Sequence, residues 1–200
     1  MPTFDERAPE WDSPERIERA EAVAAVIREA VPLTRDLSVL EIGAGTGLLG
    51  LALAQEVGTL VLADPSVGML AVADEKVRAA GLENVRTLRF ALAADPRPAE
   101  RFDLVVSLMA LHHVPDTAAA IDDLFAMVEP GGRLALVDLD AEDGTFHSDP
   151  DADVHHGFDR GELGRRIEAA GFRDVTFTTA DEIASDGRVY PLFLVVARRP

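Results

Sequence analysis

The sequence contains no cysteine, and Lys76 is the single lysine among 19 basic residues. Without cysteine the chain has no disulfide, no thiol nucleophile and no thiolate metal site. It also lacks any apolar run of about 18 residues and any leader with a basic start and an apolar centre. We therefore expect no membrane partner, no secretory signal and a cytoplasmic location.

Positive charge is scarce as well, with 19 basic against 36 acidic residues and a net charge of -17. Such a surface repels phosphate backbones and anionic lipids, so we expect no nucleic-acid partner. A small molecule is then the default partner. A chain of 200 residues with 48% hydrophobic content suits one domain with a full core. We expect a monomer or a homodimer.

One stretch combines a strand-like apolar run with three closely spaced glycines. The run over residues 37–42 is followed by Gly43, Gly45 and Gly47, and then by further apolar residues. This pattern predicts a buried strand, a turn that lets a ligand approach the main chain, and a helix over 46–57. A dinucleotide fingerprint would place its third glycine at Leu48, and Glu41 would repel a pyrophosphate and favour a cationic ligand.

Glu41 and the three glycines form an acidic-x-G-x-G-x-G pattern that resembles the first motif of class I S-adenosylmethionine-dependent methyltransferases. Residues 102–106 (FDLVV), residues 111–116 (LHHVPD) and a Pro-Gly-Gly turn into a strand at 133–138 extend the resemblance over nearly the whole chain. It implies S-adenosylmethionine as cofactor and S-adenosylhomocysteine as product. It also implies in-line methyl transfer to a small molecule, for which we expect an oxygen or nitrogen acceptor rather than carbon.

Asp64 ends the second apolar run, about 20 residues past the glycines, where a carboxylate can bind a ribose diol. It also starts an Asp-Pro-Ser turn, so capping of the next helix is a second interpretation. The resemblance adds further residues to the cofactor-binding set, namely Trp11, Ala44, Pro65, Met69, Ala91, Leu92, Ser107 and Leu108. Trp11 lies in a lead over 4–12 that in the family folds over the cofactor, although packing against the core is equally consistent with it.

Ala91 departs from the family pattern, because many relatives have an aspartate there that accepts a hydrogen bond from the adenine. Asp95 is a displaced alternative. The adenine is then held by backbone groups around Ala91 and Leu92, or the cofactor binds less tightly.

His112 and His113 are the candidate catalytic residues, since histidine titrates near neutral pH and can remove a proton from an acceptor. At least one of the pair is expected to hold its loop by hydrogen bonds instead. The polar insertion over 140–158 is expected to act as a lid that selects the substrate.

No metal is predicted. In the insertion, Asp149, Asp151 and Asp153 resemble a calcium loop, but Val154 and Arg160 stand where glycine and glutamate are required. A site built from His147, His155 and His156 is left as an alternative.

Helical and strand patterns alternate and end in two β-rich runs joined by a short turn, which predicts a doubly wound α/β fold. The resemblance implies a Rossmann-like, mostly parallel seven-stranded sheet whose last strand is antiparallel. We divide a single domain, 1–200, into a helical cap (1–35) with an irregular first dozen residues, a cofactor-binding core (36–139), the lid (140–158) and a helix with a β-hairpin (159–200). Two further functions remain open, a regulatory protein that binds the cofactor without transfer and an NAD-dependent oxidoreductase.

Overall fold

The computed structural model describes residues 3–147, 154–185 and 187–200. The helices are α1 (Phe4–Arg7), α2 (Pro14–Ala30), α3 (Leu48–Leu53), α4 (Val67–Ala79), α5 (Thr117–Met127) and α6 (Arg160–Ala169). The strands are β1 (Ser38–Ile42), β2 (Thr59–Asp64), β3 (Val85–Arg89), β4 (Phe102–Leu108), β5 (Val128–Leu139), β6 (Arg173–Ser185) and β7 (Arg188–Arg198). Single 3-10 turns cover Ala8–Glu10 and Leu111–His113.

The seven strands form one sheet in the order β3-β2-β1-β4-β5-β7-β6. The first five strands of that order run parallel, and β7 is antiparallel to both β5 and β6. This confirms the predicted α/β class and the antiparallel last strand. The strand order reverses between β1 and β4, where Ile42 pairs with Ser107. In an open parallel sheet this reversal creates a crevice beyond the carboxyl ends of the strands.

Apolar side chains cover both faces of the sheet and form two core clusters. Successive strand residues point to opposite faces, so Val39 packs with α2, α3 and α4 while Leu40 packs with α5 and α6. Glu41 therefore projects toward the α3 side, beneath the start of that helix. No described helix has the length and apolar composition needed to cross a membrane.

Three of the predicted helices begin after a residue whose side chain accepts a hydrogen bond from a backbone N–H group. The side chains of Ser13, Asp116 and Asp159 cap α2, α5 and α6, respectively. A cap of this kind satisfies one of the free N–H groups in the first helical turn, so these helix starts could be found from sequence.

The expectation of an irregular first dozen residues is wrong. Thr3 and Glu6 form a reciprocal capping box that begins α1. The Asp5 carboxylate then accepts hydrogen bonds from the Ser66 hydroxyl and the Gly68 N–H at the start of α4. The short segment is held by these contacts with α4, which a search for periodicity does not detect.

Two other boundaries also differ from the prediction. The helix predicted over 46–57 is shorter, because Gly47 has a left-handed φ of +80° and helical geometry begins only at Leu48. The strand predicted over 133–138 instead begins at Val128, and its pairing with β4 shifts between Phe102 and Leu104 around the Pro-Gly-Gly sequence. The four-part division of the domain stays a prediction.

Candidate functional site

A cavity of about 630 Å³ lies at the carboxyl edge of the parallel strands and is covered by the N-terminal segment and the start of the insertion. Its volume is in the range of small-molecule and cofactor sites. Its lining contains every predicted site residue except Gly47: Trp11, Glu41, Gly43, Ala44, Gly45, Asp64, Pro65, Met69, Ala91, Leu92, Ser107, Leu108, His112 and His113.

Gly47 serves the packing of the glycine loop and is not among the described residues that line the cavity. A Cβ atom at Gly47 would lie 2.9 Å from the Leu62 Cδ1 atom and 3.6 Å from the Ala73 Cβ atom. The third glycine of the motif therefore allows the loop to approach β2 and α4. Its assignment to the cofactor-binding set stays a prediction.

The first two glycines shape the cavity itself, and both have positive φ angles. A Cβ at Gly43 would lie only 2.2 Å from the Ala110 Cβ atom. The glycine loop and the chain after β4 can therefore approach this closely only because residue 43 has no side chain. A Cβ at Gly45 would enter the space between the Trp11 Nε1 atom, at 3.7 Å, and the Met69 Sδ atom, at 3.9 Å. Glycine at 45 keeps that space available to a ligand.

Asp64 connects the glycine loop to the start of α4. One carboxylate oxygen accepts the Gly45 N–H at 2.7 Å, and the other accepts the Ser66 N–H at 2.8 Å. Burial raises the pKa of Asp64, while the Ser66 and Gly45 N–H groups oppose that shift. Each carboxylate oxygen can accept more than one hydrogen bond, so Asp64 can hold the turn and still bind hydroxyl groups. The two interpretations of this residue are compatible.

Glu41 is buried below the loop, and its Oε2 atom accepts the Gly50 N–H at 2.9 Å. Burial raises the pKa of Glu41 to about 8, and the neighbouring Asp64 charge adds to the shift. The protein thus holds a mostly protonated carboxyl group at the cavity wall. A cation placed beside it would restore the ionised form.

Backbone groups near Ala91 are mostly engaged within their own loop. The Ala91 N–H donates to the Asp95 carboxylate, and the Ala91 carbonyl accepts the N–H groups of Ala94 and Asp95. Asp95 therefore caps this loop, and it is not among the described residues that line the cavity. Among the described residues the Leu92 N–H has no acceptor, which leaves it as the backbone donor at this wall.

The N-terminal lead is fastened across the glycine loop. The Asp12 carboxylate accepts a hydrogen bond from the Thr46 hydroxyl and forms an ion pair with Lys76. Trp11 is thereby held at the cavity, where two guanidinium groups lie over its ring, Arg7 at 4.9 Å and Arg16 at 4.2 Å from the ring centroid. Ser107 also has a structural bond, because its hydroxyl donates to the Ile42 carbonyl.

His112 is fixed by Asp138, the penultimate residue of β5. The Nδ1 atom of His112 lies 2.7 Å from Asp138 Oδ1, and the His112 backbone N–H donates to Oδ2 of the same carboxylate. Met109, with a left-handed φ of +55°, turns the chain so that this contact forms. Since a carboxylate only accepts, Nδ1 carries the hydrogen in this contact, and in the neutral ring Nε2 is then the nitrogen with a lone pair.

His113 and His147 complete a group of imidazoles at the cavity. The ring centroids of His112 and His113 are 4.1 Å apart, and those of His112 and His147 are 5.2 Å apart. Burial, followed by the neighbouring His112 and His147, lowers the pKa of His113 to about 4. The pKa of His147 is lowered as well, mainly by burial. His113 is therefore neutral across the physiological pH range.

The other histidines of the insertion have structural contacts. The His155 ring bonds to the Val114 carbonyl and the Thr117 hydroxyl, and its backbone N–H donates to the His112 carbonyl. The His156 ring lies against Gly144. Within residues 3–147, 154–185 and 187–200, no three His, Cys, Asp or Glu residues are grouped as metal ligands. Asp149, Asp151 and Asp153 lie outside the described residues.

Comparison with known proteins decides the family. The family model described as "Methyltransferase domain" matches residues 15–176. The chain belongs to the class I S-adenosylmethionine-dependent methyltransferases.

An uncharacterised methyltransferase of Mycobacterium tuberculosis is 35% identical to this chain over 113 residues, which cover 56% of this chain and 55% of that protein. Demethylmenaquinone methyltransferase of Thermus thermophilus is 34% identical over 141 residues, covering 68% and 64%. A SAM-dependent methyltransferase from Aquifex aeolicus superposes with a TM-score of 0.74, 24% identity and coverage of 98% of both chains. The chain spans about half the length of several curated relatives that it matches.

The structure brings into this methyltransferase cavity several residues that the sequence reasoning did not place there. They are Arg7, Arg16 and Arg19 from the N-terminal segment, Phe146 and His147 from the insertion, and Ile183 and Ser185 from β6. Asp138, which bonds to His112, is a further residue that the sequence reasoning missed. A sequence signal could have identified it, because it closes an apolar strand at the carboxyl edge of the sheet. The spacing of Arg16, Arg19 and Ala20 places them on one face of α2, but it does not show which part of the protein that face contacts.

Proposed function

We propose that this methyltransferase binds S-adenosylmethionine in the cavity and transfers its methyl group to an oxygen or nitrogen atom of a small molecule. One observation carries the proposal. The same cavity is lined by the glycine loop with Asp64 and by the buried His112–Asp138 pair. A nucleoside-binding wall and a candidate base thus face one enclosed space.

The residues present suit this cofactor. Asp64 has free lone pairs for the ribose hydroxyls, and the space beside Gly45, between Trp11 and Met69, suits the adenosine group. Glu41 offers a carboxyl group to the cationic amino-acid part, and the Leu92 N–H offers a donor to the adenine. Hydrogen bonds that involve a charged partner contribute roughly 1.5 to 3 kcal/mol each.

The bound cofactor would supply a methyl group on a positively charged sulfur, which keeps the electron pair of the broken carbon–sulfur bond. The chain then has to align the acceptor, exclude water and take up a proton. His112 Nε2 is the base: as the acceptor atom bonds to the methyl carbon, its proton passes to Nε2 and Asp138 stabilises the imidazolium. His113 stays neutral and lines the apolar side of the acceptor. An imidazole base suits hydroxyl and amine acceptors.

Binding is tested by titration calorimetry with S-adenosylmethionine, S-adenosylhomocysteine and NAD. We expect the first two to bind and NAD not to bind, and Asp64→Asn to weaken both by about tenfold or more. Asp122→Asn is the matched control, since Asp122 is an exposed residue of α5 outside the cavity. Binding of NAD alone, or of none of the three, would overturn the proposal.

Transfer is tested by following S-adenosylhomocysteine production with a panel of small phenols and amines. His112→Gln should lower turnover by about 100-fold or more without loss of cofactor binding. Cofactor binding without turnover on any acceptor would favour the regulatory alternative. We also propose a cytoplasmic location and a monomer or homodimer, and light scattering of the purified protein tests the oligomeric state.

A further inference from the structure

Three arginines of the N-terminal segment line one side of the cavity. The guanidinium groups of Arg7 and Arg16 both lie over the Trp11 ring, and Arg19 lies one turn further along α2. All three side chains are partly buried. In a chain with a net charge of -17, such a concentration of positive charge inside a cavity calls for an explanation.

These three positive charges form few ion pairs with carboxylates of the described residues. Within the described parts of the chain, no carboxylate forms an ion pair with Arg7 or Arg16, and Arg19 has only Asp181, at 3.5 Å. The Nε atom of Arg19 is buried without a hydrogen-bond partner among the described residues. Arg16 donates to the Trp11 carbonyl, which uses one of its five N–H groups. The cluster thus keeps many donors free.

The three guanidinium groups also disfavour one another. Burial lowers the pKa of Arg16 and the charges of Arg7 and Arg19 lower it further, while Glu15 and Asp12 oppose that shift. An arrangement that is unfavourable without a ligand is stabilised when an anion binds between the like charges.

The cofactor supplies only part of this compensation. S-adenosylmethionine has one carboxylate but two cationic groups, so its binding adds net positive charge to the cavity. Asp64 and Glu41 are the acidic residues among the described lining, and even with both ionised they do not balance the three arginines and the net charge of the cofactor. An excess of positive charge remains for a second, anionic ligand.

We propose that the methyl acceptor carries a carboxylate or phosphate group, which Arg16 and Arg19 bind. This inference rests on the proposed function and specifies its substrate class. Arg19 reaches β6 through Asp181, and Ile183 and Ser185 of the same strand line the cavity beside Phe146 and His147. An acceptor held there by its anionic end lies between α2, β6 and the insertion, with its other end free to reach His112. Arginine suits this role because its planar fork binds carboxylate and phosphate through two parallel hydrogen bonds.

The test uses simple probes on protein saturated with S-adenosylhomocysteine. Benzoate and phenyl phosphate are titrated as anions, and benzamide is the neutral control. We expect the anions to bind at least about tenfold more tightly than benzamide, and Arg16→Gln with Arg19→Gln to remove that difference. Arg35→Gln, an exposed arginine outside the cavity, should change nothing. Equal binding of benzoate and benzamide, or an unchanged preference in the double variant, would overturn the proposal.

A second arm separates acceptor binding from binding of the cofactor carboxylate. S-adenosylhomocysteine has an amino-acid part and 5′-methylthioadenosine has none. If the double variant weakens the first about tenfold and leaves the second unchanged, the arginines bind the cofactor and the acceptor assignment is wrong. If S-adenosylhomocysteine does not bind the parent protein, the proposed function fails. Titration of benzoate and benzamide into the cofactor-free protein then decides the arginine site by itself.

Discussion

The Nδ1 atom of His112 lies 2.7 Å from the Oδ1 atom of Asp138, and both side chains are almost completely buried. The pair joins the loop after β4 to the end of β5, across 26 residues of sequence. Asp138 also accepts the backbone N–H groups of His112 and Leu139, so its carboxylate is held rigidly. Asp138 is accordingly a positioning residue, which sets the tautomer and orientation of the His112 ring.

Asp138→Asn should lower turnover by about 10- to 100-fold, because the amide can present an N–H to Nδ1 and favour the wrong tautomer. The affinity for S-adenosylhomocysteine should stay within about twofold of the parent. Turnover measured against pH separates this role from a merely structural one, since a general base loses activity on protonation and the acidic limb of the profile should therefore move in the variant. Asp122→Asn serves as the control, and parental turnover with an unmoved profile in Asp138→Asn would contradict the assignment.

His113 should make the fold more stable toward neutral pH. Its pKa falls from 6.5 to about 4 on folding, so between these values the unfolded chain binds more protons. The free energy of unfolding therefore rises as pH increases through this window and gains nothing further above it. The free energy of unfolding of His113→Gln, taken relative to the parent, should therefore be higher at pH 5 than at pH 7. Urea unfolding at both pH values measures this, and an identical difference at the two would contradict it.

Glu41 should make the fold less stable as pH increases, which is the opposite of the effect of His113. Its pKa rises from 4.5 to about 8 on folding, so the folded protein binds more protons between these values. Stability contributed by this carboxyl group falls as pH increases from about 4.5 to 8, by roughly 1.4 kcal/mol per pH unit at most. Glu41→Gln can still accept the Gly50 N–H, and its stability relative to the parent should increase steadily from pH 5 to pH 8. A constant difference across urea titrations would refute this.

Cofactor binding should release a proton from Glu41 near pH 7. The ammonium group of S-adenosylhomocysteine favours the ionised carboxylate and lowers its raised pKa again. The heat of binding measured by calorimetry should then differ between phosphate and Tris buffers, whose ionisation enthalpies differ. In Glu41→Gln the two heats should agree. Agreement already in the parent would show that Glu41 keeps its proton.

Gly43→Ala should destabilise the protein by roughly 2 to 5 kcal/mol, because the new methyl group meets the Ala110 Cβ atom and φ is +66°. Adding Ala110→Gly should recover the steric part and leave about 1 kcal/mol of backbone cost. Gly81→Ala is the control, since Gly81 has a φ of +63° and nothing within 4 Å. Urea unfolding measures all four proteins, and a double variant no more stable than Gly43→Ala would contradict this account.

The meeting of the glycine loop and Asp64 at one cavity could be predicted because its signals are local in sequence. Strand, glycine turn and Asp64 follow one another within one β-α-β unit, and the fold then brings them to one edge. Even there, the sequence pattern did not separate Gly43 and Gly45, which shape the cavity, from Gly47, which packs against Leu62. That difference depends on neighbours from other elements.

The acceptor side could not be predicted to the same depth. The sequence offered His112 and His113 as equal candidates, and only the contact with Asp138 distinguishes the anchored ring from its neutral neighbour. The short α1 segment likewise owes its structure to contacts with the distant start of α4.

The amino-acid sequence by itself determined the α/β class, the antiparallel closing strand and the position of the ligand loop, because periodicity, caps and glycine spacing act over a few residues. The tertiary structure alone decided that three arginines face one cavity, that Glu41 is buried with a raised pKa and that Asp138 holds His112. Burial and charge neighbours set the chemistry of these groups, and both arise only when segments far apart in the chain pack together.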